Sequence, residues 1–77
     1  MNKQRRKSLE KAHELISEAM EIIEEVKEEE YSAFENLPDS LQQSERGERM
    51  YRYYETMDEL SSELEDATLE LEGIIND

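Results

Sequence analysis

Cysteine is absent from this chain of 77 residues, which excludes disulfides, thiolate metal sites and a nucleophilic thiol. Glycine occurs twice and proline once, so there is neither a Gly-rich phosphate loop nor the turn chemistry of a pocket-building sheet. The single histidine, His13, has no serine partner on a scaffold that could hold a catalytic constellation. No apolar run exceeds two residues, as in Ile22-Ile23. Nothing here is long enough to span a membrane or to form a signal-peptide core behind the basic start at Asn2 to Lys7, and a cytoplasmic location is expected.

What is present is charge. Forty per cent of the residues are charged and the net charge is −13. Such chains often bury too little apolar surface to offset the entropy of ordering. Pattern argues against disorder here, because Glu, Leu, Ile, Met, Ala and Lys dominate and favour helix. From Leu9 the apolar residues fall at Leu9, Ala12, Ile16, Ala19, Ile23 and Val26, alternating steps of three and four. A second series runs through Met50, Tyr53, Met57, Leu60, Leu64, Ala67, Leu71 and Ile74 in the same rhythm. Each is a heptad seam.

The only proline divides the two series. Pro38 cannot continue a helix and pushes Leu37 away from helical geometry, so the first helix must end near Asn36. Asp39, Ser40 and Ser44 are all N-capping residue types, and Ser40 with Gln43 matches a capping box. The chain is therefore expected to be all-α, a single domain over residues 1–77. Helices over about 3–35 and 44–75, joined by a loop over about 36–43, would form an antiparallel, coiled-coil-like hairpin.

Charge supports that pairing. Residues 1–13 carry +4, 14–36 carry −8, 37–54 are neutral and 55–77 carry −9. A hairpin lays Lys3, Arg5, Arg6, Lys7 and Lys11 beside Glu65, Asp66, Glu70 and Glu72, although exposed pairs contribute only about 0–1 kcal/mol each. Beyond its seam, helix one has Leu15, Met20 and Ile22. These make it a candidate oligomer interface, with a four-helix bundle of two copies as the simplest cover and a larger assembly or a partner protein as the alternatives.

Several patterns resemble sites. Glu10-Lys-Ala-His13 has the Glu-x-x-His spacing of carboxylate-bridged metal bundles, but with Leu9 and Ala12 in the seam both ligands would lie at its outer side. No metal and no cofactor is expected. The glutamate stripes face water, where nothing shifts a carboxyl pKa for acid–base work, and no enzyme activity is expected.

Composition changes only at the hairpin end. Tyr31, Phe34, Tyr51, Tyr53 and Tyr54 are all the aromatic residues, and Arg46, Arg49 and Arg52 are the only arginines outside the N-terminal cluster. Arginine and tyrosine dominate binding hot spots and hold phosphates while stacking on bases. Tyr31, Phe34, Arg46, Arg49, Tyr51, Arg52 and Tyr54 are the candidate ligand- or partner-binding residues. The structural alternative is a register device: Glu30 and Arg46 in facing seam positions, if paired residue numbers add to about eighty, with rings filling the wider end.

The segment Phe34-Glu-Asn-Leu-Pro-Asp-Ser-Leu-Gln-Gln-Ser-Glu-Arg-Gly-Glu-Arg-Met50, set between two acidic helices, resembles small acidic helical-hairpin proteins of Gram-positive bacteria and their phages. The resemblance implies a phage or prophage accessory protein that interferes with a host system, and it supplies no catalytic residues. The leading expectation is a non-enzymatic homo-oligomer that binds and inhibits a host protein, such as a defence component. Other readings are an oligomeric sponge for a nucleotide signal, an acidic DNA mimic and a structural coiled coil. Direct nucleic-acid binding is disfavoured by the negative charge.

Overall fold

The computed structural model describes residues 1–77. Helix α1 spans Lys3–Glu35, a single turn α2 spans Asp39–Gln42 and α3 spans Glu45–Ile75. There is no strand. The long helices pack side by side in a rod of 58 × 14 × 13 Å.

Local chemistry sets the boundaries. The Asn2 side chain accepts the Arg5 backbone N–H at 2.8 Å and starts α1, satisfying one donor that a helix N-terminus leaves unpaired. At the other end the Asn36 N–H donates to the Ser32 carbonyl at 3.0 Å, and Pro38 prevents continuation. The expected plain loop contains α2, whose entry is shaped by Pro38: its carbonyl accepts the N–H groups of Leu41 and Gln42 at 2.8 and 3.1 Å. The Ser40–Gln43 capping box does not form, because Ser40 lies inside α2. Ser44 caps α3 instead, its Oγ accepting the Gly47 N–H at 3.3 Å and donating to the Leu41 carbonyl.

Contacts between the long helices run antiparallel. His13 meets Glu72, Lys27 meets Asp58, Tyr31 meets Tyr54 and Phe34 meets Tyr51, each pair of residue numbers adding to 85. The register differs from the expected value near eighty, and the proposed Glu30–Arg46 pair does not form; neither residue takes part in a salt bridge.

The observed seam keeps most of the expected one, Ala12, Ala19 and Ala67 being half-buried with the larger residues, but it is shifted toward one side. Leu9, Ile16 and Ile23 are half-buried, but the row that accompanies them contains His13, Met20 and Lys27, while Val26 is exposed. On α3, Met50, Met57, Leu64 and Leu71 are half-buried as expected. Their companions are Gly47, Tyr54, Ser61, Thr68 and Ile75, while Tyr53, Leu60 and Ile74 are exposed. Both alternatives have heptad spacing and share one row, since a helix surface has neighbours at both three and four residues. Small residues explain the choice made: of the three buried residues of the chain, Ser61 and Thr68 let the backbone of α3 approach α1, and Gly47 lies against the carbonyls of Leu41 and Gln42 in the turn. The cost is a seam with no fully buried apolar side chain.

Candidate functional site

Four of the five rings form one cluster where α1 ends and α3 begins. Centroids lie 4.7 Å apart for Tyr31–Tyr54, 5.4 Å for Phe34–Tyr51, 5.8 Å for Tyr51–Tyr54 and 6.5 Å for Tyr31–Phe34, all tilted. Such spacing and tilt suit the edge-positive, face-negative charge distribution of aromatic rings. Helical geometry builds it: Tyr31 and Phe34 are one turn apart on α1, Tyr51 and Tyr54 one turn apart on α3, and the antiparallel register brings the pairs together. Tyr53 is excluded. It is 54 % exposed on a different face of α3, because adjacent residues on a helix diverge by about 100°.

Beside the rings is an open cleft of about 450 Å³, lined by Phe34, Gln42, Glu48, Tyr51 and Arg52. The three arginines of this region do not converge on it. Arg52 lines the cleft; Arg49 is drawn back along the helix by Glu45 at 3.4 Å; Arg46 is exposed, one heptad before Tyr53 and on that residue's side. Gln42 and Glu48 belong to the cleft although nothing in their spacing marks them. Gln42 has a second task, its Nε2 lying 3.2–3.4 Å from the carbonyls of Phe34, Glu35 and Leu37, where it serves acceptors that the end of α1 leaves open. The Glu35 carboxylate, then burial among the rings and the neighbouring Tyr54 and Tyr51, raise the pKa of the Tyr31 hydroxyl. Tyr31 is therefore a neutral hydrogen-bonding group at neutral pH.

Elsewhere the seam contains two polar contacts. Lys27, with a side chain only 12 % exposed, lies between Glu24 at 3.0 Å and Asp58 at 3.1 Å. Hydrogen bonds to Glu24 and then to Asp58 hold its pKa well above the ordinary lysine value, and Lys27, followed by the Ser61 hydroxyl, holds Glu24 below 4.5. The lysine contribution to folding is complete below its ordinary pKa of 10.5 and is lost as pH rises through the folded value; that of Glu24 is complete above 4.5 and is lost on acidification. Neither titrates near neutrality.

His13 is not outside the seam as its spacing with Leu9 and Ala12 implied. It is half-buried and meets Glu72 of α3 at 3.2 Å, with Glu10 lining the same small cleft. No group of three or more His, Cys, Asp or Glu side chains is gathered as metal ligands. Of the basic N-terminal residues, Arg6 reaches across to the carbonyls of Ile75 and Asp77 at 2.9 and 3.3 Å, while Lys11 pairs within its own helix to Glu14. Leu15 and Ile22 are 52 % and 62 % exposed, whereas Met20 is half-buried and lines a groove between the helices. No helix is long and apolar enough to cross a membrane. No family model matches the chain, and neither a curated protein nor a solved structure matches it.

Proposed function

We propose that this protein acts without catalysis, by binding another protein at its hairpin end and blocking it. The resemblance to phage and prophage hairpin proteins makes a host component the expected target. The observation that carries the reading is the ring cluster with Arg52 at its edge. Tyr51 is 41 % exposed although it touches two other rings. A rigid, partly exposed aromatic surface with an adjacent guanidinium has the composition of an interface hot spot and loses little side-chain entropy on contact.

The same geometry favours a protein over a nucleotide. A phosphate site would need several cations directed at one point, but Arg46 and Arg49 point elsewhere and Glu48 stands in the cleft beside Arg52. A protein surface can answer both charges at once.

The test is affinity capture from host lysate with the wild-type chain and with a Tyr51→Ala/Arg52→Glu double variant, whose helicity is checked by circular dichroism. The expected result is a discrete host protein retained by the wild type and lost by the helical double variant. Recovery of the bait alone, or equal recovery by both chains, would sink the proposal.

A further inference from the structure

The two edges of the seam differ in kind. On the edge that holds the ring cluster, α1 presents Glu10 and Glu24 and α3 presents Asp58, Glu65 and Glu72, and the observed cross-helix pairs all lie there. The opposite edge has no charge along its middle. With the register in hand, Ala19 is level with Ala67, Val26 with Leu60 and Ala33 with Tyr53. One row further out on α1 are Leu15 and Ile22. Val26, Leu60, Tyr53 and Ile22 are 43 %, 43 %, 54 % and 62 % exposed. Alternating steps of three and four through Ala12, Leu15, Ala19, Ile22 and Val26 give α1 a second heptad stripe beside the seam.

We infer that this apolar edge is an interface between two copies of the chain, which pack face to face as a four-helix bundle whose neighbouring helices are antiparallel. Three observations select a second copy as the occupant. First, the hairpin alone buries no apolar side chain completely, and the missing core of a bundle would be supplied by residues equivalent to those it exposes. Second, one face of a rod 58 Å long and 14 Å wide offers about 800 Å², which matches the roughly 800 Å² per partner of a stable interface. Third, the rims are self-complementary in charge. Along α1 the rim runs from Lys11 to Glu18 and Glu25, and along α3 from Arg49 to Glu63 and Glu70. Both helices are thus basic near their N-terminal ends and acidic further along, so antiparallel neighbours from two copies place opposite charges together at each end.

This assembly leaves the ring cluster on the outer edge, and it rests on residues separate from those of the protein-binding proposal, so either can fail alone. The test is sedimentation equilibrium with Leu60→Glu, Ile22→Glu and, as a control, Leu69→Glu, which changes an apolar residue 59 % exposed on the acidic side. The wild type and Leu69→Glu are expected to be dimers. Leu60→Glu and Ile22→Glu place an unpaired charge in the interface twice and should raise the dissociation constant on the order of 100-fold or more. Ile22 is the most exposed of these side chains, so Ile22→Glu decides the matter if Leu60→Glu unfolds. Thermal midpoints should rise with concentration for the wild type and not for Ile22→Glu. A monomeric wild type, an undisturbed Ile22→Glu dimer, or a monomer that covers this edge with a different protein would each overturn the inference.

Discussion

At one end of the rod, Phe34 and three tyrosines interlock, a serine caps α3 and Gly47 is buried under the turn. At the other end, the link between the helices is Arg6, held to two backbone carbonyls at the last residues of the chain. Both ends belong to the same helix pair with the same heptad spacing, yet α3 contains a glycine near each and the two have nothing in common. A Cβ on Gly47 would fall onto the carbonyl oxygens of Leu41 and Gln42, whereas one on Gly73 would meet nothing within 4 Å. The repeat specifies which faces meet; the residues at each turn of it determine how closely.

Replacing Gly47 with alanine should therefore give the largest loss, about 3 kcal/mol, because the obstruction is backbone of α2 and cannot swing aside. A denaturant midpoint within error of the wild type, measured at one fixed protein concentration, would mean that the turn is looser than the packing indicates. Phe34→Ala comes next, at about 2 kcal/mol, less than a fully buried phenylalanine because this one is only half-buried. Near-ultraviolet circular dichroism of the tyrosines should flatten in the same variant. Ser44→Ala removes the cap of α3 and should cost about 1 kcal/mol, whereas Asn2→Ala, at an end free to fray, should cost a few tenths. Equal losses for the two caps would erase the contrast between the ends. Smallest and opposite in sign, Gly73→Ala should stabilise by about 0.5 kcal/mol through helix propensity, read as a small rise in melting temperature.

Much of the fold was legible because it rests on local signals. Pro38 has one effect on a helix, and Ser44 is of a capping type, so the turn could be found without tertiary information. The two stripes of alternating steps also stood out, but each was a choice between rows. Val26 looked like a seam residue and Lys27 did not, since an isolated lysine is seldom placed inside; Glu24 and Asp58 make that placement tolerable, and they are on different helices. The same blindness applied to Ser61 and Thr68, whose virtue is smallness, and to His13, whose partner Glu72 lies 59 residues away. At the hairpin end, clustering in sequence exaggerated clustering in space. Tyr51 and Tyr54 share a face and Tyr53 does not, and three arginines at steps of three drift around the helix rather than converging.

The amide of Gln42 has a kinetic consequence. It links residues only five to eight positions apart, so the contacts it makes close at little cost in chain entropy and need no distant segment to be in place. A hairpin with such local contacts at its bend is expected to nucleate there and zip outward. The helices of the rod then separate in the reverse sequence. Amide protons near Lys3 and Ile75 exchange through small openings, while those beside the bend wait for the whole molecule to come apart.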